Sequence, residues 1–274
     1  MIIDSHQHFW KFDPVRDAWI DNSMQVLRKD FLPKDLKPIL ESNKVDGCIA
    51  VQADQSEAET AFLLQFAKEN PMVKGVVGWV DLCNNNVNER LAYFSKNELL
   101  KGIRHISQAE ADNFLLRKDF QNGISKLEKF DLVYDILIFP KQLPAAIKLV
   151  KKFPNQRFVL NHMAKPKISE KLDANWEGQI KTLASCENIA CKISGLVTET
   201  TNYNWIQNNF KPFLEIVFNA FGMDRVLFGS DWPVCLLAAS YNEVLQIVEN
   251  FTKGFSEPER NKLFGQNATR IYKL

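Results

Sequence analysis

Short β-branched or apolar runs alternate with longer amphipathic stretches along the whole chain. The runs begin near Ile2, Asp46, Lys74, Lys101, Asp131, Arg157, Asn188 and Arg225. They recur roughly every 30 residues, the period of a βα repeat. The stretch after Gln55 shows what lies between them. Ser56 and Glu59 have the spacing of a capping box, and Phe62, Leu63, Phe66 and Ala67 then recur at helical spacing. The same pattern predicts helices over 143–153, 176–185, 205–221 and 241–251. The tail after Glu257, ending Asn-Ala-Thr-Arg-Ile-Tyr, predicts a last helix packed outside the main body.

Strands that alternate with helices pair in parallel, because parallel neighbours need a crossover. Eight such units across 1–274 predict an α/β protein with one domain, a (β/α)8 TIM barrel. The strands are expected to end near Gln7, Gln52, Trp79, His105, Leu137, His162, Ser194 and Ser230. A doubly wound open sheet is the rival. Its nucleotide-binding forms carry a glycine-rich first turn, whereas the first run here ends Ser-His-Gln-His. The segment 9–33 is long for a βα connection and is expected to lie over the catalytic face.

Composition narrows the function. The 274 residues carry 34 basic and 33 acidic side chains, a formal charge of +1, which argues against nucleic-acid binding by bulk charge. No apolar run is long enough to span a bilayer, and no leader-like stretch opens the chain, so a cytoplasmic location is expected. Cys48, Cys83, Cys186, Cys191 and Cys235 are odd in number and contain no Cys-x-x-Cys pair, which predicts buried free thiols. Homo-oligomerisation is left open.

All four histidines, His6, His8, His105 and His162, fall at predicted strand ends, where barrel enzymes place their chemistry. Strand alternation puts Asp4, His6 and His8 on one face, and two imidazoles there suit a divalent metal such as zinc. A hydrogen-bonded pair without metal is the alternative. Asp231 ends the eighth run, which closes against the first, and is expected to act as general base or complete a metal shell. A turn or N-cap aspartate is its plainer reading. His162 is a candidate for holding substrate or metal. Arg104 is a candidate clamp for a carbonyl or carboxylate, with a surface salt bridge as the alternative. His105 reaches the same site only if its strand has already turned into loop. Gln52 and Trp79 end the second and third runs and are weaker candidates for substrate contact. Trp10 and Trp232 follow the two most suggestive motifs and suit a ring substrate. Asp135 and Lys192 lie within strands, with their facing open.

Together the segments Ile-Asp-Ser-His-Gln-His-Phe-Trp (3–10), Gly-Ile-Arg-His (102–105), Val-Tyr-Asp (133–135), Val-Leu-Asn-His-Met-Ala-Lys-Pro (159–166), Lys-Ile-Ser-Gly-Leu (192–196) and Leu-Phe-Gly-Ser-Asp-Trp-Pro (227–233) resemble the amidohydrolase superfamily. The resemblance is to its amidohydrolase-2 branch, and there most to the L-fuconolactone and L-rhamnonolactone hydrolases. It implies a sugar-lactone substrate, water activation by Asp231, and substrate held or polarised by His162 and Arg104. Metal-dependent members of the wider superfamily carry a histidine ending the fifth strand. Here that strand has none, so a metal on His6 and His8 is expected to be weakly held or dispensable. Asn161 stands where relatives often have aspartate. A metal-dependent decarboxylase or amide hydrolase on the same scaffold is the runner-up. A barrel that only binds a carbohydrate acid is the non-enzymatic rival.

Overall fold

The structure is a computed structural model that describes residues 1–168 and 172–274. Eight strands form one parallel sheet in sequence order: β1 Ile3–Gln7, β2 Gly47–Val51, β3 Val73–Gly78, β4 Leu100–His105, β5 Val133–Ile136, β6 Phe158–Leu160, β7 Ile189–Ile193 and β8 Val226–Phe228. Each ends within two residues of its expected position. The backbone just past β8 closes the sheet on β1. The Asp231 N–H donates to the His6 carbonyl at 2.8 Å and the His8 N–H to the Trp232 carbonyl at 2.7 Å.

The crossovers are α1 Pro33–Ser42, α2 Glu57–Glu69, α3 Val87–Phe94, α4 Lys118–Leu127, α5 Leu143–Lys152, α6 Ala174–Ala184, α7 Lys211–Phe221 and α8 Tyr241–Phe251; α9 Glu257–Asn261 and α10 Asn267–Tyr272 follow. Side-chain caps fix several starts. Ser56 accepts from the Glu59 N–H, Asp173 from Asn175 and Ser240 from Glu243. Glu59, however, does not complete a capping box. Its carboxylate is buried and turns back to the Ala53 N–H. The helix expected from 205 begins at Lys211, because Gln207–Asn209 forms a separate 3-10 turn.

Two further expectations are corrected. Strict alternation placed Asp4 beside His6 and His8. The β1–β2 register instead runs Asp4↔Cys48 then Gln7↔Ala50, one extra residue on β1, which is a bulge. Ile3 therefore joins the barrel interior, and Asp4 turns to Ser230, accepting from its N–H at 2.9 Å and its hydroxyl at 2.6 Å. The last helix does not pack outside. Ala268, Ile271 and Tyr272 of α10 cluster with Ile3, Ile49, Val77, Val133, Val159 and Leu227, so α10 plugs the floor of the barrel.

All five cysteines are free; Cys48, Cys191 and Cys235 are buried and Cys83 and Cys186 half-buried. Among the described residues no helix is long and apolar enough to cross a membrane.

Candidate active site

The bulge in β1 points both His6 and His8 into the mouth of the barrel. Asp231, just past β8, meets them there. Its Oδ1 lies 3.3 Å from His8 Nε2, 3.7 Å from His6 Nε2 and 3.8 Å from His162 Nε2. Close backbone approach makes this possible. A Cβ on Gly229 would sit 2.6 Å from the His6 Cβ, so only glycine fits under that ring. Asp231 itself has φ 59°, in the left-handed region.

His162 is presented by an unusual turn. His162, Met163, Ala164 and Lys165 all have φ between 51° and 60°. Each non-glycine residue in that region costs about 1–2 kcal/mol, so packing must hold the turn. Trp176 Nε1 donates to the Met163 carbonyl at 2.9 Å, and Ser194 Oγ lies 2.9 Å from His162 Nδ1. The His6 and His162 rings approach to 4.4 Å between centroids.

Arg104 points inward from β4. Its Nη2 donates to the backbone carbonyl of Gln52 and, at 3.2 Å, to Gln52 Oε1. Its Nη1 faces His6 Nε2 at 3.3 Å and Asn161 Oδ1 at 3.4 Å. Burial lowers the guanidinium to about 10, which still leaves it cationic at neutral pH. Burial likewise lowers His162 to about 3 and His6 and His8 below the ordinary imidazole value, so all three rings are neutral at pH 7. Burial pushes the Asp231 carboxyl up, but His162 and Lys165 pull the other way and it lies below the usual aspartate value. The site thus pairs one carboxylate with one guanidinium across three neutral imidazoles.

A cavity of about 380 Å³ opens above these groups, lined by His8, Arg104, His162 and Asp231. Trp10 forms part of its wall, as expected. Four other expected contacts lie elsewhere. Gln52 is fully buried behind Arg104. His105, one residue on from Arg104, faces out of the barrel, stacked on Phe114 at 4.8 Å and bonded to Glu110 at 3.1 Å. Trp79 follows it, donating to His105 Nδ1 at 3.3 Å. Trp232 is buried against Phe9 and Phe31. Asp135 and Lys192 do point inward, but bind each other at 2.7 Å. Sequence reasoning missed Trp19, Gln55, Gln108 and Lys165, which line the cavity from loops. The length of the 9–33 segment was the only signal for Trp19.

His6, His8 and Asp231 offer ligand atoms that all lie within 4.8 Å of one another. The Val51 carbonyl, 2.7 Å from His8 Nδ1, fixes the proton there and leaves the Nε2 lone pair facing Asp231. These donors suit a divalent ion.

Comparison with known proteins identifies the family. An L-fucono-1,5-lactonase of Burkholderia multivorans is 39% identical across 99% of this chain and 96% of its own length. An L-fucono-1,5-lactonase of Burkholderia ambifaria is 32% identical across 99% and 95%. A crystal structure of a Burkholderia multivorans amidohydrolase with bound zinc superposes with a TM-score of 0.96 at 39% identity, covering 100% of this chain and 99% of that one. The amidohydrolase family model matches residues 3–274, and the chain belongs to that family.

Proposed function

We propose that the chain hydrolyses the ring ester of a small sugar-acid lactone of the L-fucono- or L-rhamnonolactone type. One observation carries the reading: Asp231 Oδ1 lies 3.3–3.8 Å from three imidazoles at the base of a cavity of monosaccharide size. The lactonase relatives support the substrate class.

Water adds to the lactone carbonyl carbon while Asp231 accepts its proton. The carbonyl oxygen becomes an oxyanion, held by the Arg104 guanidinium and by His162. With Ser194 donating to Nδ1, the His162 proton sits on Nε2, toward the cavity. Collapse breaks the ring C–O bond, and the leaving oxygen takes the proton back from Asp231. The product hydroxy acid ionises and releases a proton. The guanidinium and imidazole are each asked for a few kcal/mol of barrier. Trp10 and Trp19, rings 6.1 Å apart, give the sugar an apolar wall.

His6, His8 and Asp231 would hold a divalent ion such as zinc. Such an ion polarises a carbonyl oxygen and acidifies water. β5 adds no histidine and Asp135 is engaged by Lys192, so among the described residues no ligand from β5 joins these three, and a loosely held ion is the expectation. A panel of sugar lactones, followed by proton release in weak buffer, tests the reading. Turnover of 6-deoxy-aldonolactones above all others is the expected result. No turnover above an Asp231→Asn background overturns it.

A further inference from the structure

A polar layer lies inside the barrel between the histidines and the α10 plug, and the hydrolytic steps above do not use it. Asp135 is its centre. Its Oδ2 accepts from Lys192 Nζ at 2.7 Å and from Asn161 Nδ2 at 2.9 Å. Its Oδ1 accepts from the Tyr272 hydroxyl, reaching up from α10, at 2.7 Å. All four residues are buried.

Arg104 and Asp135 are direct register partners on β4 and β5, yet they form no ion pair among the described residues. Lys192 occupies the carboxylate instead. Asn161 stands between them as a connector. A carboxylate only accepts and a guanidinium only donates, so the amide has one workable orientation: NH2 to Asp135, oxygen to Arg104. Gln52 restrains only Nη2 of the guanidinium, and Arg104 Nε has no partner among the described residues. Nη1 has two partners, His6 Nε2 at 3.3 Å and Asn161 Oδ1 at 3.4 Å, and Asn161 is the one that ties the guanidinium to Asp135.

We infer that Tyr272, Asp135 and Asn161 are positioning residues that aim the Arg104 guanidinium at the oxyanion. The C-terminal plug is thereby coupled to the catalytic face through three hydrogen-bonded side chains. The inference rests on Arg104 having the oxyanion role proposed above. A misaimed donor loses transition-state stabilisation while substrate still binds, so kcat falls and KM does not.

The test is a double-mutant cycle on the best lactone. Tyr272→Phe removes one hydroxyl and is expected to lower kcat by about five- to tenfold; Asn161→Leu is expected to lower it by at least about tenfold. KM stays within about twofold in both. In an Arg104→Met background neither substitution should lower kcat further, because the group they aim is gone. The same fold loss in both backgrounds marks a merely structural role and overturns the inference, as does an unchanged kcat in the single variants. If Tyr272→Phe does not fold, Asn161→Leu carries the cycle alone. The two readings fail differently. Wild-type kcat in Arg104→Met sinks the oxyanion role and this inference with it. A collapse in Arg104→Met with no effect of Tyr272→Phe or Asn161→Leu sinks this inference only.

Discussion

Gly195 lies so close beneath His162 that a methyl group on its Cα would come within 2.6 Å of the His162 Nδ1. Gly195 also has φ 63°, where an L side chain is strained. Gly195→Ala is therefore expected to push the imidazole off Ser194 and away from Asp231. About 1 kcal/mol of stability is lost to the backbone alone, and kcat falls at least about tenfold from the displaced ring. Denaturant midpoints and steady-state kinetics check both; an unchanged kcat removes His162 from the oxyanion.

Asp231→Asn keeps the shape of the side chain but cannot take a proton from water. Loss of a general base costs about 10²–10⁴-fold in turnover. The fold should survive, which circular dichroism checks. A variant that keeps more than about a tenth of wild-type kcat shows that Asp231 is not the base, given that expected loss.

Dialysis against a chelator is expected to strip any divalent ion, because among the described residues β5 brings no histidine to the site and Asp135 is held by Lys192. Added zinc should then bind weakly to the wild-type chain and not to His8→Asn, as read by calorimetry. One equivalent surviving the chelator would show a tight site and favour metal-dependent chemistry of the decarboxylase kind.

Glu59 predicts a pH dependence of stability. Burial raises its carboxyl from 4.5 to about 7, against the lowering pull of the Ala53 and Asp54 backbone N–H groups. The folded chain therefore binds more protons than the unfolded chain between these values, and stability falls as pH rises. The contribution is complete below 4.5 and lost above about 7. A shift of this size is worth about 3 kcal/mol. Glu59→Gln, which mimics the protonated form, should match wild type at pH 4 and exceed it by up to that amount at pH 8, on the same linkage. Equal urea midpoint differences at both pH values would contradict this.

The barrel was legible because its repeat is local: each strand and helix announces itself by its own periodicity, and parallel pairing follows. His6, His8 and Asp231 were legible because barrel closure brings the last strand to the first. The failures share a physical cause, which is that the deciding contact is remote. The β1 bulge that turns Asp4 to Ser230 is set by pairing with β2, and nothing in Ile-Asp-Ser-His-Gln marks it. The left-handed turn from His162 to Lys165 contains no glycine, so its sequence gives no sign of the geometry that packing imposes. His105 could reach the site only if β4 ended before it, but β4 runs through His105 and Arg104 takes the inward position. Tyr272 reads as one more amphipathic aromatic until its hydroxyl is found on Asp135.

The α10 plug has a consequence for how the chain is made. The apolar staves contributed by β1 through β8 have no floor until Tyr272 has left the ribosome. Tyr272 follows Phe228, the last residue of β8, by 44 residues, which is about 2–9 s of synthesis at about 5–20 residues per second. Through that interval the nascent chain is an open-bottomed barrel, with Ile3, Val133 and Leu227 still lacking the Ala268, Ile271 and Tyr272 that cover them. Completion of the fold is thus tied to late emergence of this helix, and a nascent chain stalled just short of it presents an apolar surface for a chaperone to bind.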